Sequence, residues 1–299
     1  MERPALVEPR RVHLPDGRAL TLDDVGDPDG SPVLYLHGTP DSRLARHPDD
    51  GVTARAGVRL LAVDRPGYGG SDPLPAGAGP AAFAADAAAV LDALGIERCA
   101  VLAWSGGALA GLAVAAGLPE RVAALGIASG VVPRQAFEDA EVRAASPDRL
   151  DLHAMADGMA PGELGEAVAP LLAPFPCDLA LAAEHQREHR DETADAELAT
   201  VPGAKATLAA ALAEGVRVSL AGVAADVEAA NRPFDVDLDA IRAPVHLWWG
   251  ADDTVTPPAF GSWYASRLAG ATLEVVPGAG HYLVLTRWAD VLRTLTARP

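Results

Sequence analysis

The feature that most constrains this chain is a rhythm, in which short apolar runs alternate with longer stretches of helical period. The runs are Val33–Leu36, Val58–Val63, Cys99–Ala103, Val122–Ala128, Val245–Trp249 and Thr272–Val276. Runs of this length suit strands buried on both faces of a parallel sheet. The helical stretches are Ala81–Leu94, Gly107–Ala116, Phe260–Leu268 and Leu283–Ala297. Strand, helix and parallel strand in succession form a crossover unit, so the fold class is α/β with a mostly parallel central sheet flanked by helices. Two strand-like pieces, Arg11–Leu14 and Leu20–Asp24, precede this pattern and are joined by a turn at Pro15-Asp16-Gly17. With 299 residues, 49% of them hydrophobic, the chain can bury the core of one large α/β domain with a subordinate insertion.

The rhythm stops between residues 132 and 239. That stretch is rich in Ala, Pro and Glu, is helical in pattern, and offers no convincing strand. It holds 21 acidic and 8 basic residues, a net of −13, which leaves only −4 of the chain's −17 to everything else. Together the change of period and of charge divides the chain into a first core part (1–131), a helical cap (132–239) and a second core part (240–299).

A net charge of −17 and a pI near 4.7 repel phosphate backbones and anionic headgroups, so neither a nucleic acid nor a membrane surface is expected as a partner. Residues 1–17 are broken by prolines and charges and lack the apolar region of a secretory signal. No segment approaches the roughly 18 uninterrupted apolar residues of a membrane span. A soluble, cytoplasmic protein is expected, while the oligomeric state is not legible. Cys99 and Cys177 lie far apart without metal-ligand spacing, and Cys99 reads as a small buried hydrophobe. No metal or cofactor is implied.

Four motifs carry chemistry. In Ala103-Trp104-Ser105-Gly106-Gly107, a serine stands between an apolar strand and a helix, with small residues where a tight turn brings the two close. The pattern departs from Gly-x-Ser-x-Gly at Ala103, and taken alone it also fits an ordinary helix N-cap. Next, His37-Gly38-Thr39-Pro40 ends an early strand. The backbone N–H groups of Thr39 and Gly106 are the candidate donors to an oxygen that becomes negative during acyl transfer. In Gly250-Ala251-Asp252-Asp253-Thr254-Val255-Thr256-Pro257, two aspartates compete to hold a histidine in its working tautomer, and Asp253 is preferred. Finally, His281 follows Pro277-Gly278-Ala279-Gly280 after the last strand, where it can overhang the carboxyl edge of the sheet. The other histidines fit a base worse: His37 belongs to the oxyanion turn, His246 lies inside a strand, and His153, His185 and His189 fall in the insertion.

These motifs, with Asp64-Arg65-Pro66-Gly67-Tyr68-Gly69-Gly70-Ser71-Asp72 between the first two, resemble the α/β-hydrolase superfamily across essentially the whole core, in the chain order Ser…Asp…His. The resemblance implies a capped α/β-hydrolase fold with Ser105, Asp253 and His281 as catalytic triad. It also implies Thr39 and Gly106 as oxyanion donors and a small-molecule substrate, with Trp104 either lining the pocket or packing in the core. Serine as nucleophile argues against epoxide hydrolases and haloalkane dehalogenases, which use aspartate. Cleavage of a carboxylic ester through an acyl-enzyme is the leading expectation. Proline iminopeptidases compete, because their acidic caps recognise an amino terminus, although their His-Gly-Gly-Pro-Gly segment is not matched by His37-Gly38-Thr39-Pro40-Asp41. A ligand-binding or lyase-type member that retains the same pocket is the third alternative.

Overall fold

A computed structural model describes residues 8–173 and 178–297. Its strands in chain order are β1 (Arg10–His13), β2 (Ala19–Gly26), β3 (Ser31–Leu36), β4 (Val58–Val63), β5 (Cys99–Trp104), β6 (Val122–Ala128), β7 (Val245–Gly250) and β8 (Thr272–Val276). They form one sheet in the order β1-β2-β4-β3-β5-β6-β7-β8. The initial hairpin supplies the antiparallel edge, with β1 on β2 and β2 on β4; every other pairing is parallel. Parallel strands share a direction, so all their carboxyl ends open on one edge. That edge is where loops from distant parts of the chain can meet.

The two-residue period of the strands sorts their side chains onto two core layers. On β5, Val101 and Ala103 face α2 (Phe83–Ala93), α3 (Gly107–Gly117) and α11 (Pro258–Arg267). Ala100, Leu102 and Trp104 face the opposite way, toward α13 (Trp288–Thr296). The short α1 (Asp50–Arg55) and α12 (Leu283–Thr286) complete the core helices among the described residues. Cys99 is buried and unbridged, and burial pushes its thiol up to about 12; Cys177 lies outside the described residues.

Three expectations need correction. Thr272–Val276 forms a strand, but as the sheet's edge it is mostly exposed, with Val275 at 41%, rather than buried on both faces. The helix expected over Leu283–Ala297 is two helices, α12 and α13, broken at Arg287, after which Trp288 turns into the core and donates its indole N–H to Thr53. The helix expected from Ala81 opens with a 3₁₀ turn, Pro80–Ala82, and the α-helix starts at Phe83.

Between β6 and β7 the described residues of 132–239 contain no strand. Their α-helices are α4 (Ala140–Ala145), α5 (Arg149–Gly158), α6 (Glu163–Leu172), α7 (Leu179–Glu188), α8 (Glu192–Ala199), α9 (Ala204–Gly215) and α10 (Ala221–Asn231). The segment is not merely laid on the surface. Leu198, Val201, Ala204, Leu208 and Ala211 join the same apolar cluster as Tyr35 and Trp104, and Tyr68 of the core sits within the segment's own cluster. An ion pair between Arg43 and Glu214 (2.7 Å) crosses the boundary. No helix among the described residues is long and apolar enough to cross a membrane.

Leu102→Ala, at a fully buried position, is expected to cost about 2–5 kcal/mol, and Val275→Ala on the exposed edge less than about 1 kcal/mol. Urea unfolding followed by circular dichroism measures both; equal losses would contradict the burial contrast between β5 and β8.

Candidate active site

At the end of β5 the chain turns sharply. Ser105 has φ 52, a left-handed conformation that a non-glycine residue adopts only where its surroundings enforce it. Here its N–H donates to Ala128 O (3.1 Å), and its carbonyl accepts from Ala108 and Val131 (3.1 Å each). The turn sets the hydroxyl at the carboxyl edge, with the residue 7% exposed. From the loop after β8, His281 brings Nε2 to 3.0 Å from Ser105 Oγ. Asp253, from the loop after β7, lies behind it, with Oδ2 at 3.0 Å and Oδ1 at 3.2 Å from His281 Nδ1. The tautomer with hydrogen on Nδ1 satisfies both neighbours: Nδ1–H donates to the carboxylate and Nε2 accepts from the serine hydroxyl.

Asp253, not Asp252, makes this contact; the Asp252 side chain is exposed. The Asp253 carboxylate also accepts the amide hydrogens of Val255 and Thr256 at Oδ1 (2.9 Å each), and the Thr256 hydroxyl lies 2.9 Å from Oδ2. Burial pushes this carboxyl upward, but the neighbouring His281 and the hydrogen bonds outweigh it and hold the group below its ordinary value. Thr256 is buried, lies 2.9 Å from Ser129 O, and bridges the loop to the end of β6. Its spacing after Asp253 was the visible signal of a side-chain-capped turn.

The second expected turn faces the first. A Cβ added to Gly38 would lie 3.1 Å from Ser105 Cβ, and one added to Gly106 would lie 3.1 Å from Thr39 N and would collide with the Thr39 hydroxyl. Only glycine lets the two backbones approach this closely, which places the amides of Thr39 and Gly106 together beside Ser105. His37 is structural: Nδ1–H donates to Gly38 O (2.7 Å), Nε2 accepts from Arg65 N (3.1 Å), and burial together with Arg65 pushes it well below its ordinary value, so it is uncharged. Trp104 is buried, with its indole N–H donated to His281 O (3.1 Å) and its ring 5.7 Å from the imidazole. It packs under the histidine.

Three residues gave no signal in the pattern. Asp226, on α10, accepts two hydrogen bonds from Arg65 (2.6 and 2.8 Å) and one each from the hydroxyls of Thr39 and Tyr68, so the helical segment grips the turn that holds Thr39. Glu197, on α8, accepts from the amides on either side of His281. Asp41 is 7% exposed, and its Oδ1 is buried without a hydrogen-bond partner among the described residues. Burial raises Asp41 to about 7, against the opposing pull of His281 and Arg65. Among the described residues no group of three or more His, Cys, Asp or Glu side chains is placed to hold a metal ion.

Comparison with known proteins gives the class. The family described as alpha/beta hydrolase fold matches residues 31–287, and the chain belongs to it. The chain is 31% identical over 273 residues to the "Putative carbamate hydrolase RutD" of Variovorax paradoxus (strain S110), spanning 90% of this chain and 92% of that one. It is 30% identical over 273 residues to the non-heme chloroperoxidase of Streptomyces lividans, spanning 91% and 92%. A solved hydrolase from Pseudomonas aeruginosa PA01 superposes with a TM-score of 0.70 over 98% of this chain and 100% of that one; at 21% identity this likeness concerns the fold.

The raised Asp41 sets a pH test of stability. The folded state retains this proton to about pH 7 while the unfolded chain releases it near 3.8. Between those values the native state therefore binds more protons, and wild-type stability falls as pH rises. Asp41→Asn removes that fall. The variant is expected to gain on wild type between pH 4 and pH 8, by at most about 4 kcal/mol. Parallel urea-midpoint curves across that range would refute the assignment.

Proposed function

We propose that this protein is a serine hydrolase that cleaves a small-molecule carboxylic ester through an acyl-enzyme, with Ser105, His281 and Asp253 as its triad. The observation that carries the reading is the unbroken contact chain from Ser105 Oγ through both ring nitrogens of His281 to Asp253, each step at 3.0 Å. As Ser105 Oγ attacks the carbonyl carbon, its proton passes to His281 Nε2 and the carbonyl oxygen becomes negative between the Thr39 and Gly106 amides. Collapse of this tetrahedral species expels the alcohol, which takes the proton from Nε2. Water then repeats the sequence on the acyl-serine, giving its proton to His281 and releasing the acid. Asp253 remains ionised and stabilises the imidazolium formed in each half. Side chains and backbone amides suffice for every step, and no metal or cofactor enters the proposal.

Residues 1–131 and 240–299 form the core in this reading, and 132–239 the cap over the carboxyl edge. An aminopeptidase would need acidic cap groups free to meet an ammonium. Among the described residues, the acidic groups of the segment that reach the core beside the site are already engaged: Glu214 with Arg43, Asp226 with Arg65, Asp191 with the Thr254 hydroxyl, and Glu197 with backbone amides. That favours the ester. The relatives' names, a carbamate hydrolase and a chloroperoxidase, leave the acyl and alcohol groups to experiment.

A fluorophosphonate probe is expected to label wild type and not Ser105→Ala. p-Nitrophenyl acetate should be turned over while proline-arylamides are not. Ser105→Ala should lower kcat at least about 10⁴-fold, and Asp253→Asn by about 10³–10⁴-fold through loss of the tautomer. A folded wild-type protein inert to the fluorophosphonate would sink the proposal.

A further inference from the structure

We propose that Glu197 is a positioning residue for the site described above: through it the segment between β6 and β7 fixes the backbone on both sides of His281 and thereby sets where the imidazole meets Ser105. The inference rests on the serine-hydrolase reading for its kinetic consequence, but not for the latch itself.

Three bonds immobilise the histidine's backbone. Glu197 Oε1 accepts from Gly280 N at 2.7 Å and Oε2 from Tyr282 N at 3.0 Å, while Trp104 Nε1–H donates to the His281 carbonyl at 3.1 Å. One donor comes from the residue before the serine, and both acceptors come from a single side chain of the inserted segment. With the flanking amides and the carbonyl held, only the side-chain torsions of His281 remain to be set by Ser105 and Asp253. The fit is close: a Cβ on Gly280 would lie 3.1 Å from Glu197 Oε2 and 3.0 Å from Thr193 Cγ2. The same helix also reaches the acid's loop, because Asp191, which caps α8 through Ala194 N, accepts from the Thr254 hydroxyl at 2.7 Å. α8 therefore touches the loops that carry Asp253 and His281 and holds them in one frame.

The chemistry of the side chain narrows the role. The two N–H donors here meet one oxygen each, an arrangement a carboxylate offers and a carboxamide, with a single acceptor oxygen, does not. Glutamine would satisfy one amide and turn an NH₂ toward the other. Glu197 is also buried, which penalises its charge, and it shares the neighbourhood with Asp253. A buried carboxylate beside another is costly unless its hydrogen bonds and a nearby cation offset the burial. An imidazolium forming at His281 is such a cation.

The test uses the full chain with Glu197→Gln, and with Glu192→Gln as a control at an exposed position of the same helix. Hydrogen exchange at the Gly280 and Tyr282 amides, read by NMR, reports the latch without reference to catalysis. kcat, KM and the pH dependence of p-nitrophenyl acetate hydrolysis report its consequence. Glu197→Gln is expected to lose exchange protection at one or both amides. It should lower kcat by about 10–100-fold with KM changed less than about 2-fold, as for a misplaced catalytic group. The acid limb of its pH profile should shift from that of wild type, because a buried carboxylate beside the site has been made neutral. Glu192→Gln should match wild type. Unchanged protection in Glu197→Gln overturns the latch. Lost protection with wild-type kcat and pH limb overturns the positioning role and leaves the hydrolase reading intact. A wild type that neither hydrolyses the ester nor takes the fluorophosphonate defeats the hydrolase reading, and with it the kinetic role of Glu197.

Discussion

The His281 imidazole meets Ser105 Oγ through Nε2 and Asp253 through Nδ1, both at 3.0 Å. Those two partners stand 176 and 28 residues away in the chain. A neutral imidazole has one donor and one acceptor on opposite sides of a rigid ring, so satisfying both neighbours fixes tautomer and ring plane together. The parallel sheet makes this possible: β5, β7 and β8 end on the same edge, and the turn after each delivers one group. The left-handed Ser105 lifts the hydroxyl, the Asp253–Thr256 turn clamps the acid, and Trp104 supports the histidine's carbonyl from beneath.

Under the early loops lies a second set of constraints, built from charge. Arg43 binds Asp23 (2.9 Å), Asp64 (2.8 Å) and Glu214 (2.7 Å), and Arg46 shares Asp23 (2.8 Å). Burial raises the Asp64 carboxyl although Arg43 opposes it. Desolvating such groups is expensive, and removing a single member would strand its partner without compensation. Their contribution is geometric. Asp64 accepts from Arg43 N and Gly70 N and so holds the turn that presents Arg65, which in turn holds His37, Gly38 and Asp226. The turn at His37-Gly38-Thr39-Pro40 is thus fixed from below by core arginines and from above by the inserted helices.

The acidity of residues 132–239 takes on meaning in this setting. Much of it is solvated helical surface, as expected of an acidic protein. Several of its carboxylates instead bind core groups, and three of these lie at the most enclosed contacts. Glu197, Glu214 and Asp226 reach into the core and meet backbone amides or arginines. The segment is therefore joined to the site through hydrogen bonds as well as through the apolar contacts of Leu198 and Leu208.

The sequence by itself pointed to the α/β class, to parallel strands in the apolar runs, to a strand-free helical stretch between the runs at 122–128 and 245–249, and to Ser105, His281 and one aspartate of the Asp252-Asp253 pair as candidates. Each of these depends on local period or on residues a few positions apart: the two-residue strand alternation, a serine flanked by small residues, a histidine after a glycine-rich turn. Local pattern also misled where context ruled. Thr272–Val276 has a strand's length and period but carries Thr272 and Glu274 and lies at the edge, and sheet order is set by crossovers that no single run encodes. Only the tertiary structure put Asp253 rather than Asp252 against His281, seated Trp104 beneath the histidine and left Asp41 Oδ1 buried without a hydrogen-bond partner among the described residues. It alone brought Glu197 and Asp226 from unremarkable helical sequence to the loops that carry His281 and Thr39. The physical reason is that a carboxylate's role depends on which donors lie within 3 Å of it, and here those donors come from elsewhere in the chain.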